Sequence, residues 1–251
     1  LEAVAAELTG KAAAMFLPSG TMCNLAAVLT HTRPGDEVIV ETRAHIYNSE
    51  VGGMAAVAGA VPRPIPGDRG ILRPDNVAAA IRDDTVQSKA PTGLICLENT
   101  LNAAGGTVLP SDVTAAIRDI ADAAGIPVHL DGARLFNAAA HLDTAVDDLC
   151  CDVDTVMFAL SKGLGAPMGS ILAGSAEFIA RARRKARMLG GGMRQTGMMA
   201  AAALVALEDP FPALRRDHHM ARQLGEGLAA LDESLIRDPV QTNIVNCHID
   251  R

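Results

Sequence analysis

Short apolar runs alternate with amphipathic segments along most of this 251-residue chain, and that alternation leaves few folds open. The runs DEVIVE (36–41), GLICLEN (93–99), PVHLD (127–131), TVMFALS (155–161) and SILAG (170–174) are short, apolar or β-branched, and bounded by Gly, Pro or Asp. Such runs predict strands. Between them lie segments such as LPSDVTAAIRDIADAAG (109–125), where Val113, Ile117, Ile120 and Ala124 recur at helical spacing. Ser111 is the expected N-cap and Gly125 the stop. Strand, helix, strand in that order predicts parallel strands joined by crossovers, hence an α/β fold with a mostly parallel sheet.

After about residue 175 the pattern turns helical, in FIARARRKARML and TGMMAAAALVALED, interrupted by the glycines of GGGM (190–193). DPFP (209–212) breaks the chain again before a helix over RDHHMARQLGEGLAALDE. The expected organisation is a large domain over residues 1–208 and the start of a small C-terminal α+β domain over 209–251. The chain opens on Leu1, and Arg251 directly follows the strand-like run TNIVNCHI, so further segments are expected beyond both ends.

Aromatic residues make up only 2% of the chain and Trp is absent, so the core must come from Ala, Val, Leu, Ile and Met. A net charge of −7 argues against a nucleic-acid partner, which needs clustered positive charge. One basic cluster, RARRKAR (181–187), reads as a solvated helix face. Cys23, Cys96, Cys150, Cys151 and Cys247 lack zinc spacing and are expected as reduced core thiols in a cytoplasmic protein. No metal is expected. Uncharged stretches fall short of the roughly 18 residues of a membrane span, and Glu2 and Glu7 stand where a signal peptide would be basic. No membrane association is expected.

In parallel α/β sheets the carboxyl ends of the strands line the ligand crevice. Three consecutive runs end in a chemically capable group: Glu98, Asp131 and Lys162. Of the chain's four lysines (Lys11, Lys89, Lys162, Lys185), only Lys162 leaves an apolar run. One lysine and one aspartate in an apolar crevice suggest pyridoxal 5'-phosphate. That cofactor needs a lysine able to lose its proton and form a Schiff base, which desolvation favours, and a carboxylate at its pyridine nitrogen. Lys162 and Asp131 are the candidates. Ser19, Gly20 and Thr21 open a helical segment whose free backbone N–H groups suit a phosphate. His45, after the run DEVIVE, is placed to stack on the pyridine face and reach a substrate hydroxyl. The remaining histidines (His31, His129, His141, His218, His219, His248) are given no special role.

FLPSGTMCN, AHIYNSEVGG, LENTLNAAGG, HLDGARLFNAA, ALSKGLGAPMGS and GGGMRQTG follow one another along almost the whole chain. In this combination the sequence resembles the low-specificity threonine aldolases, pyridoxal-phosphate enzymes of the aspartate aminotransferase-like fold (fold type I). The resemblance implies the roles above for Lys162, Asp131, His45, Gly20 and Thr21. It adds Arg134 as a ligand of the substrate carboxylate, Arg194 reaching a neighbouring subunit's phosphate, Arg187 in place of a phosphate-side lysine, and a homotetramer with sites completed across a dimer interface. The implied reaction is retro-aldol cleavage of threonine-type β-hydroxy-α-amino acids to glycine and an aldehyde.

Two departures stand out. Leu101 replaces the histidine that many members carry near the substrate's β-substituent, leaving proton handling there to His45, a water or Glu50. The serine segment and the C-terminal arginine that complete the family's carboxylate site do not occur within these residues. The alternatives are β-elimination or dehydration of a hydroxyamino acid on the same scaffold, and a non-catalytic relative that binds the cofactor only.

Overall fold

Strands buried on both faces need helices on both sides, and this chain has them. The computed structural model describes residues 1–85 and 87–249. In chain order the strands are β1 (Ala13–Leu17), β2 (Glu37–Glu41), β3 (Val61–Ile65), β4 (Thr92–Glu98), β5 (Val128–Asp131), β6 (Thr155–Ala159) and β7 (Ser170–Gly174). The helices are α1 (Glu2–Leu8), α2 (Gly20–His31), α3 (His45–Asn48), α4 (Gly53–Ala56), α5 (Pro74–Ala80), α6 (Ser111–Ala124), α7 (Leu135–Leu142), α8 (Ala176–Met188), α9 (Gly197–Glu208) and α10 (Phe211–Leu231). The strands form one sheet in the order β1-β7-β6-β5-β4-β2-β3.

All five expected strands are present. The sheet is parallel from β3 to β6, but β7 runs antiparallel to both β6 and β1. β1 and β3 escape the sequence pattern for opposite reasons. The first is hidden in an alanine-rich run that also suits a helix. The second contains Pro62 and Pro64, tolerable because a strand at a sheet edge leaves one row of donors unpaired.

Alternation along the strands sorts the core onto two faces. Ile95, Leu97, Val128, Leu130, Val156 and Phe158 face one side, together with Ile117 of α6 and Leu135 of α7. Met15, Leu17, Met157 and Leu172 face the other, beneath Cys23, Ala26 and Ala27 of α2 and Phe178 and Ile179 of α8.

The reversal at β7 matters for the site. β7 begins at the edge where β6 ends, and β1, antiparallel to β7, ends there too. That edge therefore collects Ser170, the loop after β6, and the start of α2. The turn into β7 is tight: Gly169 has φ +101°, and a Cβ there would lie 2.2 Å from Phe16 Cε2. Only glycine meets both constraints.

Several local expectations change. Ser111 is the first residue of α6 rather than its cap; Pro110 holds the N-cap position and Gly125 closes the helix in the left-handed region. Residues 242–249, which read as a strand, find no sheet partner. They lie instead against the 101–107 loop, where Thr242 Oγ1 donates to the Gly106 carbonyl at 3.0 Å. Helix α10 forms as expected, with Leu214 joining the main core. Cys23, Cys96 and Cys150 are buried, but Cys151 and Cys247 are exposed, so those two are not core thiols. Among the described residues no single helix is long and apolar enough to cross a membrane.

Candidate active site

β4, β5 and β6 lie side by side and stop at the same edge. Glu98, the last residue of β4, stands in register with Asp131, the last of β5, which in turn registers with Met157 of β6. Lys162 follows three residues after β6 ends. From the opposite side comes the N-terminus of α2. Ser19 caps it, its Oγ accepting the Met22 N–H at 3.2 Å, while the Ser19 carbonyl takes the Cys23 N–H. The N–H groups of Gly20 and Thr21 have no partner within a helix that starts there.

These pieces enclose a cleft of about 260 Å³, lined by Ser19, Gly20, Thr21, Asn24, His45, Asp131, Lys162 and Ser170. The structure thus brings together the lysine, the aspartate, the histidine and the helix start that the sequence singles out. A Cβ on Gly20 would lie 2.7 Å from Met157 Cε, the mobile tip of a side chain that also lines the cleft, so a larger residue here would push Met157 aside.

Lys162 departs from expectation in one respect. The residue is exposed rather than buried. It still lines the cleft, and lost hydration there, followed by the positive charge of Arg134, lowers its pKa, with Asp131, Glu98 and Glu50 opposing.

Asp131 is 2% exposed, and both of its oxygens are engaged: Oδ1 accepts the Ala133 N–H at 3.1 Å, and Oδ2 accepts Asn24 Nδ2 at 2.8 Å. It does not cap a helix at Ala133, because α7 starts at Leu135. Glu98 accepts the backbone N–H of His45 at 2.7 Å and that of Asn102 at 2.9 Å. Burial, and then the charge of Asp131, push its carboxyl up to about 7.

His45 begins the short helix α3 and is half-buried. Its Nδ1 lies 3.2 Å from Glu50 Oε1, a contact that raises the imidazole pKa despite partial desolvation. Glu50 is buried and does not line the cleft; its oxygen also accepts Asn24 Nδ2 at 2.8 Å. Burial outweighs both contacts, so the Glu50 carboxyl too is raised. His45, Glu50 and Asp131 converge with their polar atoms within 4.8 Å of one another.

Arg134, next to the lining residue Ala133, does not itself line the cleft; its Nη1 donates to Asn102 Oδ1 at 2.9 Å. Its Nε is buried with no hydrogen-bond partner, as is that of Arg118. Burial lowers its pKa, while Glu98 and Asp131 hold it up. Arg187 and Arg194 are not at this cleft within one chain. Arg187 lines a separate hollow with Arg183 and Met193, and Arg194 is exposed. Leu101 is 2% exposed and packs against Gly70, behind the wall rather than in the cleft. Asn24 is the site residue that sequence reading overlooked. It stands one turn after Gly20, and that spacing alone could have placed it on the cleft side of α2.

Comparison with known proteins agrees with this geometry. The sequence profile of the β-eliminating lyase family matches residues 1–250. The chain is 43% identical over 249 residues to the low-specificity L-threonine aldolase 1 of Arabidopsis thaliana, covering 98% of this chain and 70% of that protein. It is 41% identical over 238 residues to the low specificity L-threonine aldolase of Escherichia coli O157:H7, covering 94% of this chain and 70% of that protein. The Leishmania major threonine aldolase shares the fold, with a TM-score of 0.84 at 22% identity over 94% of this chain and 70% of that one. With lysine, aspartate and helix start gathered at one sheet edge, and with these likenesses running along nearly its whole length, the chain belongs to the β-eliminating lyase family and groups within it with the low-specificity threonine aldolases.

Proposed function

We propose that this protein is a pyridoxal-phosphate-dependent lyase that cleaves threonine-type β-hydroxy-α-amino acids into glycine and an aldehyde. The observation that carries the reading is that Lys162, Asp131 and the N-terminus of α2 line one cleft. Two of its relatives are named as L-threonine aldolases.

The donor set suits this cofactor. Gly20 and Thr21 line the cleft at the start of α2, where two free helix N–H groups suit a phosphate. Ser19, Gly20 and Thr21 would hold the phosphate, Asp131 would pair with the pyridine nitrogen, His45 would pack beside the ring, and Lys162 would supply the amine that anchors the group. When bound, the cofactor supplies an electron sink for the negative charge that develops at Cα.

The protein's own contribution is orientation and proton handling. Arg134, with its unpaired Nε, takes the substrate carboxylate and so turns the Cα–Cβ bond toward the direction in which cleavage is aligned with that sink. His45 donates Nδ1–H to Glu50, which leaves Nε2 bare to accept the β-hydroxyl proton; the carboxylate behind it strengthens the base. Lys162 has its proton affinity lowered by its surroundings, the direction that Schiff-base chemistry requires of an amine.

The homotetramer and a cytoplasmic setting belong to the same proposal. Exposed Arg187 and Arg194 near the glycine turn, with Met198 and Val205 exposed on the apolar helix α9, support an interface with a second copy. Sedimentation of the protein at micromolar concentration tests this.

β-Elimination is the second reading, supported by the match of residues 1–250 to the β-eliminating lyase family. Incubation with threonine, allo-threonine and phenylserine separates the two. Glycine with an aldehyde supports the aldolase; ammonia with a keto acid overturns it.

A further inference from the structure

Behind Asp131 runs an unbroken line of buried polar side chains that the chemistry above leaves unused. Asn24 Nδ2 donates to Asp131 Oδ2 and to Glu50 Oε1, both at 2.8 Å. Asn24 Oδ1 lies 3.1 Å from His129 Nε2, and His129 Nδ1 lies 2.9 Å from Thr155 Oγ1. Thr155 Oγ1 in turn lies 2.9 Å from His31 Nε2. Asn24 and Thr155 are each 1% exposed and His129 is 0% exposed, so their partners must come from the protein itself.

Chain geometry accounts for the line. His129 and Asp131 are two apart on β5 and share a face; Thr155 stands in register with His129 on β6. Asn24 and His31 are seven apart on α2, two turns on one side, directly above.

With both carboxyls ionised, one assignment of donors and acceptors satisfies all of these contacts. Both amide hydrogens of Asn24 are committed to carboxylate oxygens, so Oδ1 must face His129 and accept. His129 therefore carries its hydrogen on Nε2, and its bare Nδ1 takes the Thr155 hydroxyl hydrogen. The Thr155 oxygen then accepts from His31 Nε2–H. Turning the amide over would set its oxygen against two carboxylates and its NH2 against an N–H. Both imidazoles are kept neutral by burial, His129 near 3 and His31 near 4.

We propose that Asn24 is a positioning residue that ties Asp131 and Glu50 into one rigid two-carboxylate unit, with His129, Thr155 and His31 fixing its amide from behind the sheet. One amide thereby couples the group at the edge of the cofactor ring to the group that backs His45. The inference rests on the role given to Asp131 above.

The test uses the cofactor-loaded protein. In Asn24→Ala and Asn24→Asp, pyridoxal-phosphate Kd rises and kcat falls, each about tenfold or more, the size of one charge-assisted hydrogen bond. KM for threonine stays within about twofold, because Arg134 is untouched; a merely structural defect would not give that split. Wild-type values of Kd and kcat in Asn24→Asp overturn the proposal. Asp131→Asn is the control. If it too behaves as wild type, the role of Asp131 itself is wrong; if it is impaired while Asn24→Asp is not, only the positioning role falls. Nitrogen-15 imidazole spectra of the wild-type protein decide the matter without any variant. Neutral Nε2–H forms at His129 and His31 support the line, and a hydrogen on His129 Nδ1 breaks it.

Discussion

The backbone N–H of His45 donates to Glu98 Oε2 at 2.7 Å, so the carboxyl that ends β4 braces the residue that follows β2. This brace titrates near neutrality, since burial and Asp131 push Glu98 up to about 7 from an ordinary 4.5. A raised carboxyl pKa means that the folded chain binds the proton more tightly than the unfolded one. The stabilisation is therefore complete below 4.5 and is lost as pH rises through 7, about 3 kcal/mol in all. Urea titrations from pH 5 to 8 are expected to show stability falling, and Glu98→Gln should flatten that slope. A variant with the wild-type slope would remove Glu98 as its source.

On the proposed mechanism, the His45–Glu50 pair sets the pH dependence of the rate. His45 must be neutral to accept a proton at Nε2, and its pKa is raised above 6.5 chiefly by Glu50. The acid limb of kcat/KM should therefore lie above pH 6.5, and Glu50→Gln should move it to lower pH while lowering the plateau. A limb that stays in place in Glu50→Gln would take Glu50 out of the base.

Lys162→Ala should lose the visible absorbance of the bound cofactor and at least about a thousandfold in turnover, roughly 4 kcal/mol of barrier. Overall stability should hardly change, because the residue is exposed. A variant that keeps both colour and activity would mean that another lysine serves.

Arg134→Lys keeps the charge but loses the planar fork. KM for threonine should rise about tenfold or more, with a smaller fall in kcat as the Cα–Cβ bond loses its alignment. Arg134→Leu should bind substrate more weakly still, and equal KM values in all three proteins would rule out carboxylate binding by this side chain.

Much of this arrangement is legible in the sequence because strand ends carry it. An apolar run that stops at a polar residue records where a sheet edge lies, and Glu98, Asp131 and Lys162 mark that edge in one dimension. What sequence reading missed depends on two elements meeting. His129 looks like a polar accident inside PVHLD until Thr155 of the next strand and Asn24 of the covering helix stand beside it. Gly-Pro signals could not reveal that β7 runs backwards, since SILAG has the same pattern in either direction. Residues 242–249 failed as a strand because pattern alone supplies no partner. The exposure of Lys162 was hidden for the same reason: a residue beyond a strand end is covered only by what folds over it.

The backward run of β7 replaces a crossover helix with ten residues of loop, 160 to 169, and those ten hold Lys162 and deliver Ser170 to the far wall. Lys162 and Ser170 thus hang from one short ribbon, which lies close against the ring of Phe16 at Gly169. Lengthening that ribbon would displace anchor and wall together, whereas lengthening a crossover elsewhere would leave the opening as it is. An engineer wishing to admit larger aldehydes should leave Gly169 alone and recut the opposite rim.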